Sequence, residues 1–453
     1  MSHRYSEIRP AATRGSLAAA AFLPRSKETG EGWLAGLLAA WWEEGVEGVL
    51  ATSSSPLCHR LLGLWRMSWS PSSYLYPHLC LSPRQMVEQF SPTHSWADAP
   101  IKCLAWHPHT PKLAVAFTDD TVRVVMADPA ATQPLLKFAG MKEVSSLAWQ
   151  PCGASQLAVG CQAGVLVWTI DPASVVSRPS SSCVTRLAGV RGAVTSLAWS
   201  PDGRLLAACS PADTNLVVWS PASQAREVLH RRGGGGNTLV SWSPDSRRLL
   251  AATPGATFRV WDTAAWTVDR WTVGGGLGRV AAAAWAPDGL QLVFATTDEP
   301  VLYSVSFREG SEGAVPVMDL SMVGLGHTEA GEGDDDEETL GGLVQDIQWE
   351  PTGARLAVTF RDTPRLLLVR ARPGALPGRL APVGWVTGRR GERPALAQFQ
   401  KAPSPLGALL SVAWSSGRLQ HLPLVFGGPE VAEEAWQHAP APHHALFSLP
   451  SEA

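Results

Sequence analysis

His107 and His109 flank Pro108, and two imidazoles at this i, i+2 separation are the nearest approach to a metal pair in the chain. A metal site needs further ligands and nothing nearby supplies them, so a turn role is the better reading. Gly233–Gly236 places four glycines between Arg232 and Asn237, with no Lys-Ser or Lys-Thr behind them. They read as a flexible turn between elements and not as a phosphate cradle. Asp119-Asp120 sits in a polar turn before an apolar run, where capping of backbone N–H groups explains two acids. Arg231-Arg232, and Arg389-Arg390 with Arg393, are small loop clusters that read as solvated surface, with recognition as the sharper alternative. The chain contains no G-x-S-x-G, no H-E-x-x-H and no G-x-x-x-x-G-K-S/T. No catalytic residue, cofactor or metal ligand is assigned, and the function to look for is binding.

Composition narrows the partners. The 453 residues carry 37 Lys+Arg against 40 Asp+Glu, a net charge of −3. That balance lacks the basic face a nucleic-acid binder presents to phosphates, so no direct nucleic-acid contact is expected. Hydrophobic residues at 45% and charged ones at 17% exclude wholesale disorder. Seven cysteines without a C-x-x-C pair fit reduced thiols of a cytosolic or nuclear compartment better than a disulfide framework. The longest apolar stretch, Gly32 to Trp42, is eleven residues, short of the roughly 20 that a spanning helix needs. Arg4, Arg9 and Arg14 ahead of Leu17–Leu23 faintly echo a targeting peptide, but Glu7 interrupts it and a floppy terminus is expected.

Tryptophan is the outlier, with 20 against four Tyr, and six of them mark a recurring phrase. Leu104-Ala-Trp106-His-Pro108 returns at Trp149, Trp199, Trp242, Trp285 and Trp349, each followed two residues later by Pro; the spacings are 43, 50, 43, 43 and 64. Three spacings of 43 fall in the range of WD-type units, about 40–45 residues. After each phrase come a turn such as Asp202-Gly203, an apolar run such as Leu205–Ala208, a second turn, and an alternating run such as Leu216–Trp219. A weaker fourth run follows, for example Thr267–Trp271. Short strands joined by tight turns and repeated in fours make the blades of an all-β, WD40-type propeller, whose closed ring leaves only short edges.

A seventh blade is needed to close the count. Leu396-Ala-Gln-Phe399-Gln lies 50 residues after Trp349 and takes Phe399 as its anchor. Leu409–Trp414 then forms the second strand and Arg418–Phe426 the third, so Trp414 is not itself an anchor. Trp69-Ser-Pro71 mimics the phrase without the strands that should follow. The anchors are therefore Trp106, Trp149, Trp199, Trp242, Trp285, Trp349 and Phe399. The long gap before Trp349 holds an acidic insertion at 327–340, with seven acids in the ten residues Glu329–Glu338, which self-repel and stay solvated. The expected organisation is a disordered terminus over 1–30, a partly helical extension over 31–95 packing on the propeller, the seven-bladed propeller over 96–426, and a flexible tail over 427–453. The last blade is expected to take its outermost strand from the N-terminal region.

Two helices are expected in the extension. Ser82-Pro-Arg-Gln85 has Ser at the N-cap, Pro at N1 and Gln at N3, a helix that runs to Phe90. Glu31–Glu44 carries Trp33, Leu34, Leu37, Leu38, Trp41 and Trp42 as one stripe. The stripe either packs on the ring or docks a partner, for which Trp33, Leu37, Trp41 and Trp42 are the candidates.

Particular stretches are more specific than this pattern. Trp106-His-Pro-His-Thr110, Asp119-Asp-x-Val-Arg-Val124, Val165–Pro172 with Ser177-Arg-Pro-Ser180, Leu302–Phe307, Gly407–Val412 with Trp414-Ser and Gly417-Arg, and Pro77-His-Leu79 resemble the aladin family of WD-repeat nucleoporins. The resemblance covers roughly residues 41–426. It implies a seven-bladed scaffold of the nuclear pore complex, tethered at the nuclear envelope by a transmembrane ring nucleoporin among other pore proteins, with only indirect membrane association. It further implies support of nucleocytoplasmic transport, a mitotic spindle association and some cytoplasmic protein. A generic WD40 adaptor presenting a substrate to a ubiquitin-ligase or signalling complex is the alternative. Residues 1–40 do not match the family start. The Trp-Asp dipeptide survives only at Trp261-Asp262, with Trp168-Thr and Trp219-Ser lacking the acid, so the His–Asp network of many WD blades is expected to be largely missing and packing to compensate.

Overall fold

Seven antiparallel sheets follow one another along the chain and close into a ring. The computed structural model describes residues 4–8, 24–25, 76–93 and 100–425, the last apart from short interior segments of which 324–340 is the longest. The acidic insertion, the tail after residue 425 and the Trp33–Trp42 stripe lie outside the described residues.

Blade one pairs Ile101–Trp106, Lys112–Phe117, Val122–Met126 and Leu135–Leu136 in that order, and the same innermost-to-outermost sequence repeats through blade six. The innermost strands of the other blades are Ser146–Trp149, Ser196–Trp199, Leu239–Trp242, Val280–Trp285, Val344–Trp349 and Pro394–Phe399. Blade seven has three strands among the described residues, with Gly407–Trp414 second and Leu419–Val425 third. The strand Arg4–Ile8 runs parallel to the outer strand of blade four, Thr267–Val273, and pairs with Pro24–Arg25 on its other side. This N-terminal strand extends blade four, where a seven-residue outer strand offers an open ladder of backbone groups, while the outermost strand expected for the last blade falls outside the described residues.

Burial explains the residue choice in each strand. A blade stacks on two neighbours, so its middle strands lose both faces to solvent and read as continuous apolar runs rather than alternating ones. Leu206–Cys209 and Gln291–Thr296 are buried at every position. Near the axis the blades converge, and the second strands carry small side chains there: Ala114, Ala116, Ala158, Ala207, Ala208, Ala251 and Ala252 are all fully or almost fully buried. Toward the rim the wedge between blades widens and larger groups fill it. Trp271 of blade four stacks on Phe258 at 5.9 Å, and Trp385 of blade six tilts against Phe360 at 5.8 Å.

Each anchor ends its innermost strand, and most do more than pack. Trp149 Nε1 donates to the Ala105 carbonyl at 3.0 Å, Trp199 to Ala148 at 3.1 Å, Trp242 to Ala198 at 3.1 Å and Trp285 to Ser241 at 3.2 Å. In every case the acceptor lies one residue before the anchor of the preceding blade. The indole thus pins blades two to five each to its predecessor at one end of the innermost strands. Trp349 is partly buried and its Nε1 has no hydrogen-bond partner among the described residues; Phe399, buried, has no donor to offer. The other end is stitched in the opposite sense, with Ser145 Oγ donating to the Val194 carbonyl, Thr195 Oγ1 to Thr238 at 3.0 Å, and Gln345 Nε2 to Ala395 at 3.0 Å. The turns after the anchors need a left-handed residue, supplied by Gly203 (φ 70°), Gly289 (φ 70°) and Gly353 (φ 80°), with Ser246 (φ 59°) in the same position of blade four.

Packing and pin separate in a two-variant test. Trp199→Phe keeps most of the buried ring but removes the indole bond to the Ala148 carbonyl, which retains its ladder partner Ala158, for an expected loss of about 0.5–1.5 kcal/mol. Trp199→Ala also leaves a void, for an expected loss of about 3–5 kcal/mol. Urea unfolding of both checks this, and Phe melting like the parent would remove the pin from the account.

Candidate interaction surface

The face on which the innermost strands begin is crossed by the chain's own segment 76–93. Pro83–Phe90 forms helix α1, and its start is a full capping box: Ser82 Oγ accepts from Gln85 N while Gln85 Oε1 accepts from Ser82 N. The helix buries Met86, Val87 and Phe90 and leaves Arg84, Gln85, Glu88 and Gln89 exposed. Val87 packs on Ala193 before blade three, and Phe90 lies under the Arg279 guanidinium at 4.9 Å, which also donates to the Gln89 carbonyl at 3.1 Å before blade five. Burial pulls the Arg279 pKa down to about 10, with Arg361 adding to the fall. The Pro92 carbonyl then accepts from Gln345 of blade six at 2.5 Å, and Thr93 Oγ1 donates to the Lys102 carbonyl of blade one at 2.5 Å. A segment this short that reaches blades one, three, five and six has to pass over the axis.

Gly235 and Gly236, the described half of the glycine run, also sit at close approaches. A Cβ on Gly235 would meet His78 Cε1 at 2.2 Å, and one on Gly236 (φ 81°) would meet the Pro211 carbonyl oxygen at 2.0 Å. These two glycines are places where backbone must approach closely, against the expectation of a flexible turn. The His107 Nδ1 accepts from the backbone N–H of His109 and of Thr110, both at 3.1 Å, and its ring lies edge-on to Trp149 at 4.9 Å, so it orders a turn. Asp119 caps Thr121 N at 3.1 Å, whereas Asp120 reaches across to Val144 N of blade two at 3.2 Å. Asp262 of the surviving Trp-Asp pair caps its own turn at Ala264 N and Ala265 N. Burial pushes up the thiols of Cys103, Cys161 and Cys209, the last to about 12, which leaves them unreactive. Among the described residues no group of three or more His, Cys, Asp or Glu side chains is placed to hold a metal ion.

The seam between blades seven and one is closed by different chemistry. Trp106 Nε1 donates to Ser411 Oγ at 3.0 Å, Trp106 N donates to Gln398 Oε1 at 3.1 Å, and Ser411 Oγ meets His421 Nδ1 at 2.8 Å. The His421 ring stands edge-on to Trp106 at 5.9 Å. Beside it, Glu392 of the turn entering blade seven binds the Arg418 guanidinium at 2.6 Å, Ser416 Oγ at 2.6 Å and Arg389 N at 2.8 Å. That pairing with Arg418 holds the Glu392 carboxyl down at about 2. Arg389, Arg390 and Arg393 of the same turn are exposed.

The repeat, the helix start and the closing blade converge on one family. The Aladin seven-bladed propeller family matches residues 82–425, from the N-cap of α1 to the last residue of blade seven. The chain belongs to the aladin propeller family. The Aladin protein of Arabidopsis thaliana is 26% identical over 162 residues, which is 31% of this chain and 36% of that protein, so the chain matches about a third of its relative's length. Two solved structures share the fold alone at 15% identity: the β-propeller domain of Cps50 (Swd1) from Myceliophteria thermophila and Kuenenia stuttgartiensis hydrazine synthase, each with a TM-score of 0.53 over 72% of this chain and covering 97% and 96% of theirs. Within this aladin-type ring, Trp106, Trp149, Trp199, Trp242, Trp285, Trp349 and Phe399 stand at equivalent positions around the axis. Trp33, Leu37, Trp41 and Trp42 lie outside the described residues. Sequence reading missed the Trp106–Ser411–His421 seam and the Arg279 clamp on α1, since neither has a local signature.

Two outcomes follow from these contacts. Arg279→Ala removes the clamp on Phe90 and the bond to Gln89, so amide exchange over Met86–Ser91 should speed up about ten-fold while blade-three strands stay protected. Unchanged protection of α1 would show that the clamp does not hold it. His421 is held by burial at about 4, below the ordinary 6.5, so the unfolded chain takes up that proton first. Stability from this group is intact above pH 6.5 and falls as the pH drops toward 4, by on the order of 3 kcal/mol. Asp346, raised by burial from 3.8 to about 6, acts in the opposite direction, binding its proton more readily in the fold and offsetting part of that loss below pH 6. His421→Gln should flatten the acid limb of a urea-midpoint profile, and an unchanged slope would place the acid sensitivity elsewhere.

Proposed function

We propose that this chain is a non-enzymatic scaffold subunit of the nuclear pore complex, held at the nuclear envelope by a transmembrane nucleoporin. In that position it supports nucleocytoplasmic transport and takes part in mitotic spindle organisation. The observation that carries the reading is the family match across the whole ring, residues 82–425. The geometry agrees with a binding role. A ring pinned at both ends of its innermost strands is a rigid body, and loops set on rigid elements lose little entropy when they meet a partner. Segment 76–93 crosses one mouth of the channel, so the opposite face, the rim and the outer loops are what remain for other proteins. Among the described residues no helix is long and apolar enough to cross a membrane. The proposal routes attachment through a membrane-spanning partner.

Imaging a tagged chain tests this directly. A punctate nuclear rim in interphase, with proximity labelling of pore proteins, is the expected result. A diffuse cytosolic signal with recovery of ubiquitin-ligase subunits would replace the pore reading by a substrate-presenting adaptor.

A further inference from the structure

We propose that the turn Gly388–Arg393, between blades six and seven, is a docking site for an acidic peptide segment of a partner protein. Arg389, Arg390 and Arg393 are all exposed within five residues, and the one acid of the turn, Glu392, is buried. Its carboxylate is spent inward on Arg418, whose guanidinium also lies over the Trp414 ring at 5.2 Å. The turn therefore presents three cations with no compensating charge of its own. Their backbone is fixed from several directions: Arg389 N donates to Glu392 Oε2 at 2.8 Å, Glu392 N to the Arg389 carbonyl at 2.9 Å, Arg393 N to Ser415 Oγ at 3.0 Å, and Ser415 N to the Arg393 carbonyl at 2.8 Å. Gly391 takes the left-handed conformation (φ 84°), and a Cβ at Gly388 would strike the Trp414 ring at 2.5 Å. Three exposed guanidiniums carried on a rigid turn stand close together to meet carboxylates, which arginine binds as a planar fork.

The size of the patch selects the partner. A bilayer or a nucleic acid meets a broad surface and feels the whole chain, whose net charge is −3, whereas a short peptide feels only the local cations. The only large apolar side chains exposed among the described residues, Val176 and Val383, lie outside the turn, so no apolar anchor for lipid accompanies it. This deepens the scaffold reading and rests on it for its cellular setting. Binding in solution reads the turn and rim imaging reads the placement, so the two can fail separately.

The test titrates the purified full chain with a fluorescent oligo-glutamate peptide and follows anisotropy. Saturable binding that weakens with salt is expected, with a loss of at least about ten-fold in the Arg389→Ala, Arg390→Ala, Arg393→Ala triple variant and an unchanged melting temperature. Should the triple variant melt lower, Arg390→Gln alone carries the test, with an expected loss of about three-fold. Equal binding by the variants and the parent overturns the site. Phosphatidylserine vesicles or a single-stranded oligonucleotide binding through these arginines in preference to the peptide overturns the partner class. A second chain with the seven acids of Glu329–Glu338 changed to amides covers the remaining occupant. Peptide binding by that chain and not by the native one would assign the turn to the protein's own acidic segment and overturn the proposal.

Discussion

An indole N–H aimed at a carbonyl of the preceding blade is the contact on which the ring depends. A blade has no independent core: its middle strands are apolar on both faces and are buried only because neighbours stack on each side. Such stacking is driven by area and is tolerant of small rotations, since the hydrophobic effect is non-directional. A hydrogen bond is not. By fixing Trp149, Trp199, Trp242 and Trp285 to the residue before the previous anchor, the fold sets the angle between blades one to five at each seam. Closure after seven sectors then follows from geometry accumulated around the circle.

Where the indole pin is absent, other groups substitute. The seam between blades six and seven, anchored by Phe399, is stitched at the other end by Gln345, which shares its amide between Ala395 and Pro92. The closing seam cannot rely on chain continuity between adjacent blades, because its two sides are nearly 300 residues apart, as in the Trp106–Gln398 bond across 292 positions. It is also the seam where a hydroxyl and an imidazole, Ser411 and His421, are drawn inside to receive the indole. A buried imidazole kept neutral makes that closure sensitive to acid in a way the apolar seams are not.

What could be read from the sequence was what repeats. The Trp-x-Pro phrase recurs with a fixed period, so strand order and blade count follow from local pattern, and even Phe399 is recoverable because position in the period outweighs residue type. Helix α1 was legible for the same reason: Ser82, Pro83 and Gln85 act on each other within one turn. The contacts that escape such a reading join residues remote in sequence. Arg279 reaches Gln89 over 190 positions, and no local feature marks a guanidinium over Phe90. Gly235 and Gly236 carry a signal that local chemistry misassigns, because glycine serves a close approach as readily as a loose turn. The pairing of Arg4–Ile8 with blade four had no local signal either, since edge pairing is decided by which outer ladder is open and not by the order of the chain.

The segment that crosses the ring also constrains how the molecule can work. Residues 76–93 join one mouth of the channel to blades one, three, five and six, so that end is occupied by the protein itself and its contacts tie together sectors that are not neighbours. A bridging element of this kind resists shear between the two halves of the ring, which the seam-by-seam pins oppose only pairwise. The consequence for function is an asymmetric body. One face is reinforced and filled near its axis, with its free loops, including the arginine turn before blade seven, pushed to the periphery; the other presents the linked turns that follow each anchor. Gln150 Nε2 donates to the Gly203 carbonyl at 2.8 Å and Asp202 N to Ser246 Oγ at 3.2 Å, so that second face is also connected from blade to blade. The two faces are thus each tied together from blade to blade, with different chemistry on each, so partners meeting either one would meet a fixed surface.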